Sequence, residues 1–186
     1  MSAFLGIDTS NYTTSAALFD SEANTIIQSK KLLPVKAGEL GLRQSDAVFA
    51  HVKQLGDMVQ NVFAEYGGKI TAIGVSTRPR DIDGSYMPCF LVGEMAANCL
   101  GAALNVPVLP FAHQQGHVAA ALYSAGRLDL LDSRFLAWHL SGGTSELLYV
   151  ECGADGLPDC TCIGGTTDLA AGQLLDRAGA LLKLPF

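Results

Sequence analysis

Phe4-Leu-Gly-Ile-Asp8 is a short apolar run that breaks into the polar turn Thr9-Ser-Asn-Tyr-Thr13, and Thr14-Ser-Ala-Ala-Leu-Phe19 returns as a second run. Strand, polar turn, strand is the signature of a hairpin. The same signature comes back late in the chain. Phe4-Leu5, Ser10 and Thr14-Ser15-x-x-Leu18 correspond to Phe135-Leu136, Ser141 and Thr144-Ser145-x-x-Leu148, with one residue lost where Ser10-Asn-Tyr becomes Ser141-Gly-Gly. A hairpin that opens two successive units predicts a structural duplication.

Working outward, Asp20 to Asn24 turns the first hairpin into a third strand at 25–31, and 34–41 reads as loop. Between Leu42 and Tyr66, Val48, Val52, Leu55, Val59, Val62 and Phe63 recur at helical spacing, and Gly67-Gly68 stops the run. A buried strand follows at 70–76, a loop at 77–86, a helix rich in small residues at 88–104 and a short strand at 106–109. A further helix then reaches to Ala125. This predicts a first unit over 1–126 and a polar linker at 127–133. The second unit, 134–186, is expected to carry strands at 135–140, 147–152 and 159–163, a turn at 154–158 and a helix at 167–184. It stops where the first unit still had strand, helix and strand to come. The second copy is therefore read as incomplete, and the chain as a fragment or a naturally shortened protein.

At 186 residues, 49% hydrophobic and 16% charged, the chain has enough apolar content for a buried α/β core and too much for a disordered one. A net charge of −6 provides no basic footprint, so contact with nucleic acid would need a local patch or another subunit. The five cysteines are odd in number and form no CxxC pair, as expected of structural thiols in a reducing compartment. Met1-Ser-Ala-Phe-Leu-Gly-Ile-Asp8 lacks the basic start of a signal peptide, and no run is long enough to span a bilayer. A cytoplasmic location with no membrane partner is expected.

The chemistry gathers in four places. Pro110-Phe-Ala-His-Gln-Gln-Gly-His117 places two of the four histidines at i and i+4, at the start of the helix that continues through Val118 to Ala125. That spacing puts both imidazoles on one helix face, as a borderline metal such as zinc or iron(II) requires of nitrogen ligands. Two ligands do not complete a site. The turns at Ser10 and at Ser141-Gly142-Gly143 carry hydroxyls and backbone N–H groups suited to phosphate, the glycine pair permitting the closer approach. Asp8, beside the first turn, either orients a metal or water or caps the turn. Asp168 is expected to begin the last helix as its N-cap. Asp176, two turns on, either reaches a ribose or pairs with a neighbour such as Arg177.

These elements together resemble the actin/sugar-kinase/chaperone ATPase superfold, with its ribonuclease H-like duplicated βββαβα units. More narrowly they resemble the threonylcarbamoyl transferase family, formerly labelled glycoprotease or O-sialoglycoprotein endopeptidase. Gly6-Ile-Asp-Thr-Ser10 is similar to its opening motif, and His51 sits where it has a histidine in the first long helix. His113-Gln-Gln-Gly-His117 is similar to its metal motif, Leu140-Ser-Gly-Gly143 to its substrate loop, and Asp168-Leu-Ala-Ala-Gly172 through Asp176-Arg177 to its last motif in this range. The resemblance runs the length of the chain and covers about the first half of a usual member. It implies one divalent metal ion, iron or zinc, on His113 and His117 and on an aspartate beyond Phe186. It implies an adenylate, an ATP-type nucleotide, contacted by His139, Leu140, Ser141, Gly142 and Gly143, with Asp176 at its sugar. The implied reaction moves threonylcarbamoyl onto the N6 amine of the adenosine beside the tRNA anticodon. The implied partners are tRNA, reached indirectly through a complex, and a paralogous actin-fold subunit or a second copy. Arg78-Pro-Arg80 replaces the family's Gly-Pro-Gly, and Thr144 replaces the histidine after its Ser-Gly-Gly.

Two other readings differ in what they need. A non-catalytic scaffold of the same fold would not need the paired histidines. A sugar- or acetate-kinase-like phosphotransferase would use phosphate loops and a carboxylate base without them. A zinc peptidase is the poorest fit, because no glutamate stands between the histidines to activate water. The 186-residue chain by itself is expected not to turn over.

Overall fold

The computed structural model describes residues 2–34, 42–154 and 156–184. The expected loop at 35–41, position 155 of the expected turn and the last two residues lie outside that range. Two compact units divide between Gly116 and His117.

In the first unit, β1 (Ala3–Asp8), β2 (Thr13–Asp20) and β3 (Thr25–Leu32) form an antiparallel meander. Two crossover helices, α1 (Gln44–Glu65) and α2 (Phe90–Leu104), return the chain to β4 (Ile70–Arg78) and β5 (Val108–Ala112), which add parallel to β1. The sheet order is β3-β2-β1-β4-β5. Alternation along β1 sends Ala3, Leu5 and Ile7 to one face, where they meet Leu55, Met58 and Val62 of α1 and Val92 and Ala97 of α2. Both helices thus cover the same face of the sheet. The core stripe of α1 differs from a count of its apolar residues: Val52 is 60% exposed, while His51 and Gln54 are buried. The polar pair goes inside because Thr14 is there to receive it.

Helix α2 ends on Asn105 in the left-handed conformation (φ 54°), its N–H bonded to the Gly101 carbonyl. The fifth strand was expected at 106–109. It instead starts at Val108 and runs through Pro110 to Ala112. Proline is tolerated there because β5 is the sheet edge, where no ladder partner needs its N–H.

Helix α3 (His113–Ser124) carries the chain across the division. A 3-10 turn at Leu128–Asp132 takes the place of the polar linker. In the second unit, β6 (Phe135–Leu140), β7 (Ser145–Cys152) and β8 (Pro158–Gly165) form a second antiparallel meander, followed by α4 (Ala171–Leu181). Leu148 and Val150 of β7 are buried against Val118 and Leu122 of α3. No helix among the described residues is long and apolar enough to cross a membrane.

Candidate functional site

The first cluster begins with the start of α3. Gln115, in the third helical position, reaches back so that its Oε1 accepts the Ala112 N–H at 2.8 Å, half of a capping box. Its Nε2 donates to Asp81 Oδ2 at 3.3 Å, and the Gln114 N–H donates to the Pro79 carbonyl at 3.0 Å. Both glutamines are almost fully buried, at 4% and 3% exposed. The two residues between His113 and Gly116 therefore pin the helix start to the loop after β4. Arg78 Nη2 donates to Asp81 Oδ1 at 2.5 Å, so its guanidinium braces the same loop.

His113 then meets Asp8, the last residue of β1. Its Nδ1 lies 2.7 Å from Asp8 Oδ2, and Asp8 Oδ1 accepts the Ser10 N–H at 2.9 Å. Burial alone would raise the Asp8 pKa. The hydrogen bond and charge of His113, with hydrogen bonds from Ser76 and Ser10, outweigh it and hold the carboxyl well below the usual range. An ionised carboxylate only accepts, so His113 Nδ1 carries the proton. Any metal coordination by His113 consequently runs through Nε2, the arrangement of a carboxylate–histidine–metal triad. His113 and His117 stand one turn apart on the same helix. Among the described residues, no three His, Cys, Asp or Glu side chains converge closely enough to hold an ion. The two imidazoles, one already oriented by a carboxylate, fit a metal half-site of borderline character.

Beside this cluster, Thr14 Oγ1 donates to Gln54 Oε1 at 3.0 Å and lies 2.8 Å from His51 Nδ1. A hydroxyl has one proton, so His51 Nδ1–H is the donor of the second bond. Burial pushes the His51 pKa below its ordinary value, against weaker opposing effects of the Ser10 carbonyl and the Asp8 charge. His51 is thus a neutral, buried member of the α1–β2 contact. Thr9 completes the local frame: its Oγ1 donates to the Cys89 carbonyl at 2.9 Å and accepts the Gly93 N–H at 3.1 Å, fixing the start of α2 against the first turn.

The second cluster lies wholly in the second unit. Between β6 and β7 the Gly143 and Thr144 N–H groups both point at Ser141 Oγ, at 3.2 and 3.0 Å, and the Ser141 N–H donates to the Thr144 carbonyl at 2.8 Å. The turn thus gathers its amides around one hydroxyl oxygen, the pattern that an anionic oxygen can take over. Helix α4 begins on it. The Ala171 N–H donates to Ser145 Oγ at 2.7 Å and the Gly172 N–H to the Ser141 carbonyl at 3.1 Å. A Cβ on Gly172 would meet the Gly142 Cα at 2.6 Å and the Ser141 oxygen at 2.7 Å, so only glycine permits this approach. Asp176 follows four residues later on the same helical face, exposed.

Asp168 was expected to cap this helix. It does not: α4 begins three residues later, after Ala170, with no side-chain cap. Ser145 supplies the oxygen for the first helical N–H instead, while Thr166 Oγ1 accepts the Asp168 N–H at 3.3 Å and holds the aspartate in the preceding turn.

The structure therefore joins Ser10 with Asp8 and His113, His139 with His117 (ring centres 5.8 Å apart), and Ser141 to Gly143 with the face of α4 that carries Asp176. Leu140, the last residue of β6, is 58% exposed and delivers the chain to that turn. Sequence reasoning did not reach the pinning roles of Gln114, Gln115 and Ser145, the Thr14–His51 contact, or Glu146 across from His139. A glutamine two residues after the first histidine was a capping signal; the others depend on cross-strand register.

A family model described as tRNA N6-adenosine threonylcarbamoyltransferase matches residues 23–186. Curated proteins of that name are 31% identical over 186 residues in Chromobacterium violaceum, covering 98% of this chain and 51% of that protein. In Trichormus variabilis the figures are 32% over 192 residues, 100% and 51%. The chain spans about half the length of the curated relatives it matches. Among solved structures, YeaZ from Pseudomonas aeruginosa superimposes with a TM-score of 0.55 at 18% identity, covering 89% of this chain and 67% of that one. The ethanolamine utilization protein EutJ from Carboxydothermus hydrogenoformans does so at 0.52 and 14%, covering 99% and 58%. At such identities the likeness speaks to fold, which is α/β of the actin/sugar-kinase/chaperone ATPase class.

Proposed function

The chain belongs to the tRNA N6-adenosine threonylcarbamoyltransferase family, and from that premise we propose that it provides the histidine helix and the serine–glycine turn of a threonylcarbamoyl transferase. The substrate would be a threonylcarbamoyl adenylate, and the acceptor the N6 amine of the adenosine next to the anticodon. The observation that carries this reading is the match over residues 23–186, which takes in the histidine helix, the serine–glycine turn after it and α4.

His113, through Nε2, and His117 would hold one divalent ion, iron or zinc. Such an ion, when bound, supplies Lewis-acid polarisation of the carbamoyl carbonyl. The protein's own contribution is orientation. Asp8 keeps the His113 ring in one tautomer and one rotation, and Gln114 and Gln115 hold the helix that carries both rings. Ser141, Gly142 and Gly143 would receive the adenylate phosphate in place of the Ser141 hydroxyl, with His139 and Leu140 leading into the turn. Ser10 would act similarly in the first unit, and Asp176 would accept hydrogen bonds from the ribose. As the amine nitrogen bonds to the carbamoyl carbon, the bond from that carbon to the phosphate oxygen breaks and AMP leaves.

The recurrence of an antiparallel meander at the start of each unit supports the duplication read over 1–126 and 134–186. A cytoplasmic location is proposed with it. Contact with tRNA is proposed to be indirect, through a complex with a paralogous actin-fold subunit or a second copy. An apolar groove of about 400 Å³ between α1 and α2, lined by Val52, Val59, Val92, Met95 and Leu100, supports such a subunit.

Metal analysis of the purified chain beside a His113→Ala/His117→Ala variant tests the metal reading, and equilibrium binding of a non-hydrolysable threonylcarbamoyl adenylate tests the turn. The expected result is one zinc or iron per chain, lost in the double variant, and adenylate binding that Ser141→Ala weakens. Equal metal content in the two proteins would overturn the metal reading, and adenylate binding insensitive to Ser141 would overturn the turn's role.

A further inference from the structure

Strands β4 and β5 pair with an irregular register: Ser76 pairs with Phe111 and Arg78 with Ala112, so Thr77 is the extra residue of a bulge. Bulges bend a strand and re-aim its side chains. Here Thr77 Oγ1 donates to the Phe111 carbonyl at 3.4 Å and accepts from Arg78 Nη1 at 3.3 Å, which closes the bulge against β5. Arg78 then grips one oxygen of Asp81, with its Nε 3.1 Å and its Nη2 2.5 Å from Oδ1. The other oxygen, Oδ2, accepts from Gln115 Nε2 at 3.3 Å. Asp81 therefore divides its two oxygens between the loop and the start of α3.

A loop ion pair at i, i+3 whose side chains are 32% and 36% exposed needs no buried partner. Gln115, at 3% exposed, is one. The two ends of its amide are nearly equal in size, yet only one arrangement serves the helix: Oε1 has to face the Ala112 N–H, which it accepts at 2.8 Å. A carboxylate accepts and does not donate, so Asp81 draws the NH2 end toward itself and leaves Oε1 for Ala112. Ala112 directly precedes His113, whose ring bonds to Asp8 and lies against Phe90 with ring centres 6.0 Å apart. We propose that Asp81 is a positioning residue for His113. Acting through Gln115, it fixes the stretch of backbone from which the imidazole reaches Asp8 and presents Nε2. The inference rests on the metal reading above only for what Nε2 then receives.

Variants at both ends of the contact test this in the purified metal-free chain, by long-range 1H–15N spectra of the histidine rings. Zinc alone is then titrated in and followed by calorimetry. Gln115→Glu keeps the acceptor for the Ala112 N–H and sets a second carboxylate against Asp81, whereas Asp81→Ala removes the partner. Each is expected to displace the His113 ring nitrogen signals before any metal is added, and to weaken zinc binding about tenfold. Asp81→Asn/Gln115→Glu exchanges donor and acceptor between isosteric side chains and is expected to return both readouts most of the way to the wild type. A role confined to stability lowers the melting temperature of the single variants and leaves the His113 signals and zinc affinity of the folded chain in place. That result overturns the inference, as does a double variant no better than the singles. If the wild type binds no more zinc than His113→Ala, the metal reading fails, while the metal-free ring signals still decide whether Asp81 positions His113. Either single variant suffices, and where neither folds the double variant decides: His113 signals at their wild-type positions uphold the inference, and displaced ones overturn it.

Discussion

Asp8 Oδ2 accepts a hydrogen bond from His113 Nδ1 at 2.7 Å across 105 residues of chain. One is the last residue of the opening strand and the other the first residue of α3. The parallel pairing β1–β4–β5 is what brings the end of β1 and the end of β5 to the same edge of the sheet. The end of the opening strand and the start of the histidine helix therefore meet within the first unit.

Asp8→Asn keeps an acceptor near His113 Nδ1 and removes its charge. Zinc affinity of the chain is expected to fall about 10- to 100-fold, as for other partners that orient metal-bound histidine. Calorimetric titration checks this, and an unchanged affinity would detach Asp8 from the metal.

His51 offers a pH signature. Burial pushes its folded pKa below the ordinary histidine value, so the unfolded chain binds a proton that the folded chain resists. The unfolded state then holds more protons, and stability must fall as pH drops below about 6.5, until the folded pKa is reached. His51→Gln should flatten this part of the curve. Thermal melts of the metal-free chain between pH 7.5 and 5 compare the two slopes; parallel slopes would contradict the assignment.

Thr14→Val removes the hydroxyl that joins His51 to Gln54. The His51 Nδ1–H and the Gln54 carbonyl are then buried without their partner, which costs about 1–3 kcal/mol. A denaturant midpoint lowered at constant slope is the expected reading.

Gly172→Ala places a methyl against the Gly142 and Ser141 backbone, where no side chain can swing aside. The Ser141-Gly142-Gly143 turn has to shift, and adenylate binding is expected to drop about tenfold or more, as a misplacement of about 1 Å costs at an oriented site. Gly56→Ala, on α1 of the first unit, has open space at its Cβ and serves as the control. Equal binding by all three proteins would separate α4 from the turn.

Much of this was legible in the residues. Short runs on either side of a polar turn placed β1 and β2, helical spacing placed α1, and the i, i+4 histidines fell on one helix as the spacing required. Where reading failed, a long-range partner had replaced a local one. Asp168 has the chemistry of an N-cap, yet Ser145, on a different strand, supplies the oxygen for α4. Val52 fits the apolar period of α1, but the stripe that faces the sheet passes through His51 and Gln54, because Thr14 is buried opposite them. The fifth strand, read at 106–109, lies at Val108–Ala112 and takes in Pro110 because β5 is a sheet edge.

The sequence by itself determined the local elements, the order of the motifs and the family. These depend on periodicity and on residue types within a few positions of one another. Only the tertiary structure decided which nitrogen of His113 is bound, that Gly172 lies on Ser141 and Gly142, and that His139 stands between Glu146 and His117. Such facts follow from strand register, and a shift of one residue would turn His139 to the opposite face of the sheet.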